Sequence, residues 1–187
     1  GRLPQVVTIV GESGSGRSRL IYEFKQRLAG EPLVFEARCS SLNHRAPYHP
    51  WVTMLQQYFG IGIETPTECA CGKVAEKLAV LGPELESGAP YVCRLLSLPA
   101  SGIVETSVDD LKRQTFEVID AIFVHESQRN PVLLIIEDLH WIDEASLEML
   151  ERGIASTESA RIMVIVTHRP DYTTNWRTQA AVTRLSL

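Results

Sequence analysis

No apolar run in this chain approaches the ~20 residues that a membrane-spanning helix needs. No basic segment followed by an apolar one opens it, so no secretory signal is expected. A basic excess is missing too. Lysine and arginine number 18 against 23 aspartates and glutamates, for a net charge of -5. That balance argues against an electrostatic footprint for nucleic acid or for an acidic membrane. Cysteine is scarce: Cys39, Cys69, Cys71 and Cys93. Cys69 and Cys71 form a C-x-C, but no second pair with zinc-like spacing follows. Reduced thiols in a cytoplasmic protein are the expectation. Internal repeats and low-complexity tracts are absent as well. What is left is 187 residues, 44% of them hydrophobic, enough for one α/β domain with a proper core.

The apolar residues are grouped in short β-branched runs separated by helical patterns. Val6–Val10 reads as a strand buried on both faces, Leu33–Ala37, Val132–Ile136 and Ile162–Val166 as further strands, the second of these the most apolar, and Val182–Leu187 as a candidate fifth. Ser18–Ala29 carries Leu20, Ile21, Phe24 and Leu28 at helical spacing, with Gly30 as its stop. Pro50 opens a helix bearing Trp51, Leu55, Tyr58 and Phe59; Val74, Leu78 and Leu81 mark another. Pro83, Gly88, Pro90, Pro99 and Gly102 then punctuate short helices and loops. Ser107 caps a long helix with Leu111, Val118, Ile119, Ile122 and Phe123 on its buried face, and Asp143 caps one running to about Arg152. Strands alternating with helices imply a three-layer α/β fold on a parallel sheet.

Three segments carry chemistry. The first is Gly11-Glu12-Ser13-Gly14-Ser15-Gly16-Arg17-Ser18, between a strand and a helix. That is the setting of a phosphate-binding loop, a P-loop. Glycines let backbone N–H groups turn inward as an anion nest, and the helix start adds a positive end. Ser18 would place its hydroxyl on Mg²⁺. Arg17 stands where a lysine is usual. A guanidinium keeps the charge but is planar, forked and bulkier, so nucleotide binding is a safer expectation than turnover. Arg19 completes the set of candidate nucleotide contacts.

The second is the apolar run Val132–Ile136 closed by Glu137 and Asp138. It reads as a Walker B strand, the acid-ended strand that holds the metal beside a P-loop. Glu137 is expected to hold the metal and Asp138 to orient or deprotonate the attacking water. A full strand separates it from the P-loop strand, as in the class whose two motif strands are not adjacent. The third is Thr167-His168-Arg169 at the end of the fourth strand, where Thr167 and Arg169 would face the terminal phosphate. Trp141 reads as a core or interface anchor, and His140 has a hydrogen-bonding role at most.

GESGSGRSRL, IIEDLHWIDEASLEML and VTHRPDY together resemble the AAA-type ATPase module of signal-transduction ATPases with numerous domains. The likeness is closest to modules that follow class III adenylate or guanylate cyclase domains, or that open large LuxR-type regulators. Arg38-Cys39-Ser40-Ser41, Tyr48-x-Pro50 and Leu95-Leu96-Ser97-Leu98-Pro99 share in it. The resemblance implies a five-stranded sheet of order 5-1-4-3-2 with the P-loop strand central. It also implies binding of ATP with Mg²⁺, slow hydrolysis, and coupling of nucleotide state to a linked cyclase or DNA-binding output domain and a repeat domain. By matching positions, Gly11–Ser18 is the Walker A loop, Glu137 and Asp138 the Walker B acids, and Thr167 with Arg169 the sensor region. Residues 1–187 are then the core domain of a larger protein, without its helical lid and repeats. The rival reading is a scaffold with a degenerate P-loop, favoured by Arg17 and opposed by the intact acid pair.

Overall fold

The computed structural model describes residues 5–103, 107–156, 160–173 and 181–187. Five strands, β1 (Gln5–Val10), β2 (Leu33–Arg38), β3 (Val132–Glu137), β4 (Ile162–His168) and β5 (Ala181–Ser186), form one parallel sheet. Its order, β2-β3-β4-β1-β5, is the expected one read from the other edge. One detail differs. The P-loop strand was expected at the centre, but β4 sits there, and β1 is second from the edge. Only β5 lies outside it, and β5 is mostly exposed.

The side chains of β3 show why a continuous apolar run is needed. Val132, Leu134 and Ile136 face a large core, while Leu133 and Ile135 face a smaller one on the other side. A strand with successive side chains on opposite faces can be apolar throughout only if both faces are covered. The smaller core is closed by α1 (Arg17–Arg27) through Ile21, Phe24 and Leu28. Leu20, expected on that face, is 37% exposed. It lies one residue, about 100° around the helix, from Ile21. The helix also ends at Arg27, short of the expected Ala29, with Leu28 as its cap and Gly30 in the left-handed region at φ 85°.

The other face carries α2 (His49–Phe59), α6 (Val108–Arg129) and α7 (Glu144–Ser156). Outside them pack α3 (Thr67–Leu81), α4 (Pro83–Glu86) and α5 (Ala89–Leu95). α6 starts where the sequence says it should: the Ser107 hydroxyl accepts from the Asp110 N–H at 3.1 Å. Its buried face includes Phe116, which makes an edge contact with Tyr48. Leu111 is only half-buried.

Two polar links tie α2 and the residue before it to the start of α7. Trp51 Nε1 donates to the Ser146 carbonyl at 3.1 Å, and both residues are buried. Asp143 Oδ1 accepts from the Ser146 N–H at 2.9 Å, capping α7, and from the Tyr48 N–H at 3.3 Å. Among the described residues no helix is long and apolar enough to cross a membrane. All four cysteines are free thiols. Burial, then the negative charges of Asp143 and Asp138, push the Cys39 thiol up to about 12, so it stays protonated.

Candidate functional site

In a parallel sheet all strand ends of one kind lie along one edge, so loops from distant segments meet there. Here β1 runs into Gly11, β2 into Arg38, β3 into Glu137 and Asp138, and β4 into Thr167–Arg169. The loop from Gly11 to Gly16 folds back at once. Its Gly11 N–H donates to the His168 carbonyl at 3.2 Å, and the Ser15 N–H to the Glu12 carbonyl at 3.1 Å. A side chain at Gly11 would put its Cβ 2.3 Å from Ser15 Oγ, and Gly16 holds φ at 96°. The first bond of α1 runs from the Leu20 N–H to the Gly16 carbonyl. The amides of Arg17, Ser18 and Arg19 therefore stand at the open, electropositive end of the helix.

Two contacts close the site. The Ser18 hydroxyl donates to Glu137 Oε2, joining the helix start to the end of β3 across 119 positions of sequence. Arg17 spans the same gap. Its Nη1 donates to the Gly11 carbonyl at 2.9 Å and its Nη2 to Asp138 Oδ1 at 3.0 Å. Asp138 in turn receives Arg38 on its other oxygen: Nε at 2.9 Å and Nη2 at 2.8 Å from Oδ2. This carboxylate, 13% exposed, is held between two guanidinium groups. Its backbone sits in the left-handed region, at φ 55° and ψ 45°, and its N–H donates to Thr167 Oγ1 at 2.9 Å. The turn explains how two consecutive residues that start on opposite faces of a strand both reach the site.

Three further groups border it. Arg169 is half-buried, and its Nε is buried without a hydrogen-bond partner. His140 lies close enough to Asp138, Arg169 and Arg17 to feel their charges. Burial is the largest influence on it and lowers its pKa below the ordinary 6.5, with the two arginines acting the same way and Asp138 opposing. Its Nδ1 is buried and unpartnered. His168 is buried and held by a 2.8 Å bond between its Nδ1 and the Arg169 carbonyl. A carbonyl only accepts, so Nδ1 carries the proton.

A family model described as AAA ATPase domain matches residues 1–165. The chain belongs to that family. It is also similar to an uncharacterized protein of Rhizobium meliloti (strain 1021), at 28% identity over 193 aligned positions. That alignment covers 97% of this chain and 18% of the relative. The chain thus spans under a fifth of the length of the curated relative it matches.

In this AAA ATPase domain the residues fit a nucleotide and a divalent cation by their chemistry. Ser18 Oγ and Glu137 Oε2 are hard oxygen donors already facing each other. Magnesium is usually held by one or two such protein groups, with water and phosphate oxygens filling the rest. Among the described residues there is no cluster of three or more histidine, cysteine or acidic side chains that would serve as an all-protein metal cage.

Of the candidates named from sequence, Arg17, Ser18, Glu137, Asp138 and Thr167 are joined by hydrogen bonds. Gly11, Glu12, Ser13, Gly14, Ser15 and Gly16 form the loop beside them. Arg19 is turned away: it is exposed, pairs with Glu23 along α1, and lies 5.5 Å from the Tyr22 ring centroid. Trp141 is 36% exposed and 5.4 Å from the His140 ring, centroid to centroid, so it is not a core anchor. The residue that sequence reasoning left out of the site is Arg38. Its signal was its place: it closes β2 as Glu137 closes β3, on the same edge of the sheet.

Proposed function

We propose that this domain binds ATP with magnesium and hydrolyses it slowly, as a switch within a longer signalling protein. One observation carries the reading: the P-loop hydroxyl of Ser18 and the strand-end carboxylate of Glu137 meet directly. The two motifs lie 119 positions apart, yet the two oxygens that a nucleotide-bound magnesium ion would need are paired. When bound, the ion neutralises charge on the terminal phosphates and fixes their orientation.

The chain's own residues divide the remaining work. The loop amides and the helix start receive phosphate oxygens. Arg169, whose guanidinium has an unpartnered buried nitrogen, would serve the terminal phosphate. Asp138 orients a water for attack on the γ-phosphorus and takes its proton as the bond to ADP breaks. Arg17 must leave Asp138 to reach phosphate, so phosphate binding gives up one charge-assisted hydrogen bond. The small share of the relative covered by this chain supports a switch embedded in a longer polypeptide. A linked cyclase or DNA-binding output is the arrangement that the sequence resemblance favours.

A second reading, a scaffold that does not hydrolyse ATP, is favoured by one fact: both oxygens of Asp138 are taken by arginines. Calorimetric titration with ATP, with and without magnesium, tests the first reading. Magnesium-dependent heat at micromolar to millimolar ATP is expected. No heat and no thermal shift at millimolar nucleotide would leave the scaffold reading standing.

A further inference from the structure

Arg38 lies outside the P-loop, the acid-ended strand and the Thr167–Arg169 segment, yet it makes two of the three side-chain contacts to the Asp138 carboxylate. Its own side chain is 67% exposed, while the carboxylate it holds is 13% exposed. An ordinary exposed ion pair contributes little, because water and salt screen it and two long side chains lose freedom. This pair differs on the acid's side. Asp138 is largely withdrawn from solvent, its N–H is fixed by Thr167, and its backbone is in a conformation that few residues adopt freely.

The two guanidinium groups are not equivalent. Arg17 is 10% exposed, belongs to the phosphate-binding loop, and is tied at its other nitrogen to the Gly11 carbonyl. Nucleotide phosphate would compete with Asp138 for it, and one forked cation cannot serve both carboxylate and phosphate in full. Arg38 starts from the end of β2, with β3 and β4 lying between β2 and the P-loop strand. It holds Oδ2, the oxygen that Arg17 does not touch.

We infer that Arg38 is a positioning residue for Asp138: it keeps the carboxylate oriented when Arg17 turns to phosphate. This rests on the ATP-hydrolysing reading above and deepens it. Arg38 then affects the chemical step and not the strength of nucleotide binding.

The test uses the full 187-residue chain and two variants, Arg38→Met and Arg38→Lys. ATP and ADP affinities are measured by calorimetry with magnesium, hydrolysis by single-turnover assay, and folding by thermal melt. A loosened carboxylate should slow Arg38→Met hydrolysis about tenfold or more, since small misplacements of reacting groups are costly. ATP affinity should change by less than about threefold, because an exposed charge off the phosphate path is well screened. Arg38→Lys should recover part of the rate by keeping one cationic donor on Oδ2. Affinity for ATP falling as far as the rate, with ADP affinity spared, would place Arg38 on the terminal phosphate and overturn the inference. So would an unchanged rate in Arg38→Met, or a lysine variant no faster than the methionine one. A wild type that binds ATP without hydrolysing it overturns this inference and the hydrolysis half of the functional reading, leaving nucleotide binding; one that binds no nucleotide overturns both in full, whereas a hydrolysing wild type matched by Arg38→Met overturns this inference alone.

Discussion

Replacing Arg17 by lysine separates the two jobs the structure gives this side chain. As it stands, the guanidinium bridges the Gly11 carbonyl at 2.9 Å and Asp138 at 3.0 Å. An ammonium on a shorter stem cannot span both, so one charge-assisted bond is lost. Such bonds contribute about 1.5–3 kcal/mol. The loss here should fall at or just below the lower end, about 1–2 kcal/mol, since Arg38 still compensates Asp138 and no buried charge is orphaned. For a chain of this size that lowers the melting temperature without nucleotide by about 2–8 °C. Lysine is also the more compact phosphate ligand. If it tightens ATP binding about tenfold, saturating ATP should stabilise the variant by about 1.4 kcal/mol more than the wild type. The assay is a pair of thermal melts for each protein, with and without ATP and magnesium. Arg17→Lys should melt lower alone and gain more from ATP. If it melts no lower alone, the bridge contributes nothing. If its gain from ATP is no larger, the cradle is built around arginine and the substitution is no handicap.

The remaining expectations concern the acids and one histidine. Asp138→Asn should reduce hydrolysis by about 10²–10⁴-fold while sparing ATP binding, and Glu137→Gln should flatten the magnesium dependence of that binding. Single-turnover assays and magnesium titrations decide this, and the reverse pattern would exchange the two roles. Burial holds the pKa of His168 below the ordinary 6.5. The unfolded chain therefore takes the proton first as pH falls, and stability present above about pH 6.5 is lost below it. Urea unfolding at pH 7.5 and 5.5 should show a smaller loss in His168→Asn than in the wild type; equal losses would mean that other groups carry the acid sensitivity.

Much of this fold was legible because its signals are local and redundant. A strand buried on both faces has little choice but a run such as Val132–Ile136, and Ser107 followed by two acids announces a helix start in four residues. The strand order came from the resemblance and agrees with the structure. The inward face of α1 was misjudged at Leu20, because a short amphipathic helix with adjacent leucine and isoleucine does not say which of the two faces in. Where a motif marks them, as for Ser18 and Glu137, the sequence singles out residues that the structure joins by a hydrogen bond. A place in the site was not legible for Arg38, whose contact with Asp138 spans 100 positions and depends on β2 and β3 being neighbours. Nor could spacing show that Arg17 would pair with Asp138. That pairing follows from where the turn after β3 aims the carboxylate.

The left-handed backbone at Asp138 narrows what evolution can place there. Most L-residues meet a cost of about 1–2 kcal/mol in that conformation, while glycine adopts it freely and asparagine and aspartate more readily than the rest. Of those three, only aspartate carries a charge. A lineage that drifts away from aspartate by the sterically easy routes therefore loses the carboxylate at once and leaves Arg17 and Arg38 facing each other without it. One that keeps an acid by moving to glutamate takes on backbone strain and a longer side chain in a space already closed by two guanidinium groups. Silent wear at this position is thus unavailable. Its relatives should divide sharply, into those that keep aspartate with both arginines and those in which the acid and its cationic partners have been lost together.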